Sequence, residues 1–379
     1  MIEPDFSSEF FEFLKGKKEN GVKVVAFIAH DNIPEEMLDA SGFFPLRMMF
    51  AGNDELMDAS HDYLPPSTCA FTQSCIGLFS TKYPQYRFLE LIDYFIVSNH
   101  CVSDICGSEI ISKYFNVLRM NFYLPYTKNK NSLKYFKLEL MDFKNQLEKI
   151  KNEKIKDDNL IESIRKYNNL KKKLLELNEL RILGSKKVRI MQKALLYGPS
   201  FYNELSQFIE NNKDNQEINT SKKNVILTGC SVFINDNLID IIEEGGGNIV
   251  FFDTWIGSHY YSQVFEEKFL NSIQNPYEIL IERFKRNILS DHSVPNFLEN
   301  KISQIIELNN NFKKKTNGKS LGVINHIIKF CDHFSMLSTY FKENLQKYGI
   351  QVLNLERDYS RANKGQLSTR IEAFLEMMA

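Results

Sequence analysis

The chain has no long apolar run. Nothing in its 379 residues approaches the roughly 18 uninterrupted apolar positions that a membrane helix needs, so no membrane partner is expected. It also has no surplus of charge: 47 Lys and Arg against 48 Asp and Glu leave a net charge of -1, which gives no global field for nucleic acid or an anionic surface. The first residues, MIEPDFSSEFFEFLKGKK, are acidic before they are basic and lack an apolar stretch ending in small residues. They do not read as a signal peptide, and a cytoplasmic chain is expected. Cysteine is scarce, at six, and no C-x2–4-C zinc knuckle occurs. In a reducing compartment six such residues read as thiols, ligands or catalytic groups rather than disulfides. The run Gly245 to Gly247 follows a predicted helix instead of opening one after a strand, so it is a turn and not a phosphate loop.

What remains is an ordinary globular composition, 43% hydrophobic, on a chain long enough for two or three domains. Val22 to Ile28 (VKVVAFI) reads as a buried strand. After it Asp31 and Asn32 offer caps, Pro34 suits a first helical turn, Glu35 and Glu36 favour the positive helix end and Gly42 can stop the helix. Tyr94 to Val97 and Asn116 to Tyr123 supply further strands, with Leu78 to Leu91 partly helical. From about Leu133 to Leu183 the composition turns to Lys, Glu, Asn and Leu, with Ile161, Ile164, Tyr167, Leu170 and Leu174 at helical spacing. Strands at Val225 to Thr228, Ile249 to Phe252, Leu321 to Phe330 and Val352 to Leu355 then alternate with helices. Such alternation implies parallel sheets covered by helices. The fold class is therefore α/β: two Rossmann-like domains, 1–132 and 213–379, with a helical region, 133–212, between them.

In open parallel sheets ligands bind beyond the carboxyl ends of the strands. Cys101 follows YFIV, Cys230 follows VILTG, and Cys331 closes GVINHIIKFC. Cys69 stands at a probable helix start in PPSTCAFTQSC, where amides and the helix dipole favour a thiolate. Soft thiolates select zinc or an iron–sulfur cluster. The missing knuckle leans toward iron–sulfur, while His100 and His333 beside cysteines keep zinc open. Cys75 and Cys106 lie six and five residues after Cys69 and Cys101, spacings that do not converge on a continuous helix. Internal packing is expected for Cys106.

Taken together and in this order, six segments resemble the 2-hydroxyacyl-CoA dehydratase and benzoyl-CoA reductase family, which includes double-cubane cluster proteins. They are AHDNIPEEMLDASGFFPLRM, STCAFTQSCIG, DDNLIESIRKYNNLKKKLLELNELR, ILTGCSVFINDNLIDIIEEGGGNIVFFDTWIGSHYY, INHIIKFCDHFSMLSTYFKENL and GQLSTRIEAFLEMM. The resemblance implies a 4Fe-4S cluster on Cys69, Cys101 and Cys331, with one iron corner free of protein sulfur. It also implies the smaller subunit of a heterodimer with a related, larger subunit, and a separate ATP-hydrolysing iron–sulfur activator that injects a low-potential electron. The implied substrate is an acyl-CoA: its thioester becomes a ketyl radical anion, the neighbouring hydroxyl leaves, and deprotonation with return of the electron yields the enoyl-CoA.

The chain departs from the family at points that matter. His30, Asp31 and Asn32 precede the P-E-E turn where the family often has serine or tyrosine, and no cysteine lies between Arg283 and Pro295, where some relatives have more. Cys230 in TGCS matches the double-cubane relatives. The competing readings are a homodimeric reductase with a double-cubane 8Fe-9S cluster that adds Cys75, Cys230 and Cys106, a benzoyl-CoA reductase-type subunit, and a non-catalytic electron-transfer or zinc protein. With a four-iron cluster, Cys230 is expected to be a bystander. His30, Asp31, Glu35, Trp255 and His259 follow strands and are expected to wall a substrate pocket between the two α/β domains.

Overall fold

In the computed structural model, which describes residues 5–28, 32–214, 222–289 and 293–378, the strand–helix alternation resolves into two four-stranded parallel sheets. The first half runs α1 (Asp5–Glu19), β1 (Lys23–Ile28), α2 (Glu35–Ala40), β2 (Phe43–Met48), α3 (Asp54–Ala59), α4 (Ala70–Thr81), β3 (Ile92–Ser98), α5 (Val102–Tyr114) and β4 (Leu118–Phe122). Its strand order is β2-β1-β3-β4. No strand was expected at β2, whose segment FFPLRM contains Pro45. As an edge strand paired only with β1, it can hold a residue that donates nothing to the ladder.

Four helices follow: α6 (Lys130–Lys151), α7 (Asp157–Glu179), α8 (Gly184–Tyr197) and α9 (Tyr202–Asn212). α7 buries Leu160, Ile164, Tyr167, Leu170, Leu174 and Leu177, a stripe at three- and four-residue intervals that faces the core. The second half runs β5 (Lys223–Gly229), α10 (Leu238–Glu244), β6 (Gly247–Asp253), α11 (Ser258–Tyr261), α12 (Glu267–Ser272), α13 (Pro276–Arg286), α14 (Phe297–Lys315), β7 (Gly322–Ile328), α15 (Asp332–Gln346), β8 (Val352–Arg357) and α16 (Lys364–Met377). Its order, β6-β5-β7-β8, repeats that of the first sheet.

The segments leaving β2 and β5 bind the halves together. Phe50 and Ile234 form a parallel bridge, in which the Ala51 amide donates to the Ile234 carbonyl at 2.7 Å and the Ile234 amide to the Met49 carbonyl at 2.9 Å. Phe71 stacks on Phe233 at 3.8 Å between centroids. One apolar core therefore runs through both halves, and Cys69, Cys75 and Cys230 lie inside it. No helix among the described residues is long and apolar enough to cross a membrane.

Candidate metal centre

Three helix starts converge where the halves meet. Cys69 is the N-cap of α4, Cys101 of α5 and Cys331 of α15. Cys101 and Cys331 hold the same topological place, three residues beyond β3 and β7. The Ala70 amide at the start of α4 donates to the Lys329 carbonyl at 3.1 Å, tying the first half's helix to the second half's turn. α4 and α5 approach closely because Gly107 has no side chain: a Cβ there would stand 2.6 Å from the Thr72 methyl.

Each cysteine has its own support. Gln73 Nε2 donates to the Pro66 carbonyl at 3.0 Å and the Thr68 carbonyl at 2.6 Å, fixing the loop that presents Cys69. The Asp104 amide donates to Cys101 Sγ at 3.3 Å, while the Asp104 carboxylate accepts from Ser108 at 2.9 Å and from Ser98. Burial pushes that carboxyl up to about 7. Cys331 is reached through Phe330, held in left-handed backbone at φ 63°. Cys230 follows Gly229, whose φ of +89° and closeness to the His326 carbonyl, 2.3 Å from an added Cβ, leave room for glycine alone. The Cys230 amide donates to that carbonyl at 2.8 Å, and its sulfur accepts from the Ile328 amide at 3.4 Å.

The thiols meet. Cys69 lies close enough to Cys331, and Cys331 to Cys230, for each pair to couple, while Cys101 and Cys75 lie near enough to Cys69 to feel its charge. Neighbouring Cys331, then burial, drives Cys69 well above an ordinary thiol; Cys230 does the same to Cys331. Burial raises Cys101 and Cys75. The amides of Phe71 and Thr72 pull Cys69 the other way and lose. The helix start does not by itself make Cys69 a thiolate, because neighbouring Cys331 and then burial outweigh the pull of those amides. Among the described residues no three His, Cys, Asp or Glu side chains are grouped to hold a metal ion. All six cysteines are free thiols.

Internal packing of Cys106 does not hold. α5 buries Asp104, Gly107, Ser108 and Ile111, and Cys106 falls on the exposed face. Cys75 is fully buried within α4. Trp255 stands at the centre's edge, its ring 4.7 Å from His100 at 85° and 5.9 Å from Phe334. His259 is buried behind it, 2.8 Å from Asp253 Oδ1 and 3.2 Å from Lys301 Nζ. Asp253 also bonds Lys301 at 2.7 Å and accepts from Thr228 at 2.6 Å. Burial opposes the charge on Asp253, but Lys301 and His259 hold its carboxyl far below the usual range.

Glu35 lies in a second buried centre. It pairs with Arg47 at 3.0 Å, while Glu36 pairs with Arg283 and, at 3.7 Å, with Lys171. Against the effect of burial, Arg283 and Lys171 bring Glu36 down to about 2. The residue at the α2 N-cap is Pro34, which makes no side-chain cap bond. His30 and Asp31 lie outside the described residues. The supports Gln73 and Asp104, and Arg357, whose Nε donates at 3.1 Å to the His326 ring that meets the Cys230 carbonyl, were not anticipated. The signal for the first two was a polar side chain three or four residues after each N-cap cysteine.

A family model described as 2-hydroxyglutaryl-CoA dehydratase, D-component, matches residues 32–378. The chain belongs to this family. The matched span contains all six cysteines. The chain is 25% identical over 355 residues to the (R)-phenyllactyl-CoA dehydratase beta subunit of Clostridium sporogenes, covering 91% of this chain and 89% of that one. It is 23% identical over 381 residues to the "Putative dehydratase subunit YjiM" of Escherichia coli (strain K12), covering 95% and 93%.

Proposed function

We propose that this family member is the iron–sulfur subunit of a cytoplasmic 2-hydroxyacyl-CoA dehydratase, with a 4Fe-4S cluster on Cys69, Cys101 and Cys331. The observation that carries the reading is that three N-cap cysteines, from both halves, stand where the halves meet, with Cys69 close enough to Cys331 and Cys101 to couple with both. The donor chemistry fits, being all sulfur on separate loops whose desolvated thiolates need a nearby cation, although the three side chains are not grouped around one point in this structure. A bound cluster would supply low-potential electron chemistry and an iron corner open to a substrate oxygen.

The chain's own residues have other tasks. Gln73 and Asp104 set the positions of Cys69 and Cys101. Trp255, His100 and Phe334 keep bulk water from the sulfurs. The Asp253, His259 and Lys301 group pins the turn that carries Trp255. The reading places a related, larger subunit beside this chain, an ATP-hydrolysing iron–sulfur activator as electron donor, and a 2-hydroxyacyl-CoA that loses water through a ketyl radical anion as substrate.

The contact of Cys230 with Cys331 favours a second reading, a double-cubane 8Fe-9S cluster in a homodimeric reductase of small molecules. Iron and acid-labile sulfide counts on anaerobically purified chain separate the two. About four irons per chain, unchanged in Cys230→Ser, supports the dehydratase; about eight, falling in Cys230→Ser, supports the reductase. Iron-free protein after anaerobic reconstitution overturns both.

A further inference from the structure

The two helices that begin at Cys69 and Cys101 end at a recess of about 500 Å³ on the opposite side of the first half. α4 runs 12 residues and is followed by Lys82; α5 runs 13, ends at Tyr114 and is followed by Phe115. At 1.5 Å per residue the recess is roughly 18 Å from the thiols, beyond contact with anything bound there. Its volume suits a small molecule.

The lining is aromatic and cationic. Tyr83, Tyr86, Tyr114 and Phe115 contribute rings, and several are held in place: Asn235 donates to the Tyr86 hydroxyl at 2.9 Å, the Tyr83 hydroxyl donates to Glu55, and Tyr114 meets Tyr63 edge-on at 5.4 Å. Lys82 and Arg87 open onto the recess, and Lys113 Nζ lies 5.6 Å from the Tyr114 ring. Glu90 is the opposing carboxylate in the lining. The backbone at two rim positions is unusual, since Lys82 and Asn116 hold left-handed conformations at φ 49° and 55°. Both are helix-ending turns, Lys82 after α4 and Asn116 one residue beyond Phe115, the C-cap of α5, and they set the rim of the recess.

We propose that this recess binds a planar aromatic ring carrying an anionic group, as a site separate from the metal centre. The preset rings offer faces and edges for offset stacking, and the rim cations pair with the anion. An aromatic carboxylate and a nucleotide share this chemistry, so the probes are cinnamate and adenosine 5′-monophosphate. Cyclohexanecarboxylate keeps the charge without the ring, and cinnamamide keeps the ring without the charge.

Isothermal titration of the full chain is expected to show saturable binding of at least one aromatic anion, with both controls weaker by about threefold or more. Lys82→Gly, which suits the left-handed backbone and so preserves the turn, and Tyr114→Ala should each weaken binding by a similar factor while leaving iron content unchanged. Which probe wins identifies the ligand's source. The proposal is overturned if neither probe saturates, if cyclohexanecarboxylate binds equally well, or if binding survives both substitutions.

Discussion

The two α/β halves repeat one strand order but hold their thiols by different means. In the first half side chains do most of the holding: Gln73 grips the Cys69 loop and the Asp104 carboxylate ties Ser98 of β3 to Ser108 of α5, while the Asp104 backbone amide donates to Cys101 Sγ. In the second half the backbone does it: Phe330 turns left-handed before Cys331, and Gly229 allows Cys230 to lie against the His326 carbonyl. The buried His326 and Arg357 stand behind that carbonyl segment, with Arg357 Nε donating to His326 Nε2 at 3.1 Å and its guanidinium paired with Asp236. A repeated topology sets where a loop leaves the sheet. It does not set what keeps the loop in place.

The largest expected effect tests whether the halves contribute alike. Cys69→Ala, Cys101→Ala and Cys331→Ala should each remove most of the bound iron, measured with sulfide on anaerobically purified protein. Retention of normal iron in Cys101→Ala or Cys331→Ala alone would make the centre one-sided and break the equivalence of the two positions. The ion-paired group around Glu36, which ties α2 to α7 and α13, comes next. Glu36→Gln should cost about 3–5 kcal/mol at neutral pH in denaturant melts, because Arg283 and Lys171 lose their buried partner. The sign of the pH dependence follows from the depressed carboxyl. The unfolded chain takes up the Glu36 proton first, so the wild-type advantage is complete above about 4.5 and is lost as pH falls toward about 2. A penalty for Glu36→Gln that does not shrink over that window would refute the assignment.

Two smaller effects sharpen the contrast between side-chain and backbone support. Asp104→Ala should cost about 1–3 kcal/mol and release iron faster to a chelator, since the two buried hydroxyls of Ser98 and Ser108 lose their acceptor. Phe330→Gly should change stability by no more than about 1 kcal/mol, because glycine relieves the left-handed backbone while a half-exposed ring is lost. If Phe330→Gly proves the costlier, the second half depends on that ring and not on the turn. Cys106→Ala, on the exposed face of α5, should leave iron unchanged and stability within about 0.5 kcal/mol.

Much of this was legible from local pattern. The β-branched runs marked seven of the eight strands among the described residues, because a buried parallel strand needs a near-continuous apolar segment wherever it sits. The eighth, β2, escaped because Pro45 is tolerated only at a sheet edge, and which strand lies at an edge is a property of the assembled sheet. The helical stripe of α7 was plain for the same reason as the strands: periodicity is written into the chain. Cys101, Cys230 and Cys331 could be placed at strand ends from the sequence, since strand ends follow from strand extents. The outward turn of Cys106 was missed because the buried face of a helix depends on what packs against it.

The amino-acid sequence alone determined the two parallel-sheet halves, the helices between them and the family, because each rests on residue order and short-range spacing. Only the tertiary structure decided which thiols touch. Cys69 and Cys331 are 262 positions apart and meet because α4 docks on the turn after β7. Cys230 joins them through a close approach that Gly229 permits. Distances between loops of different sheets are fixed by packing of the shared core, and no spacing along the chain encodes them.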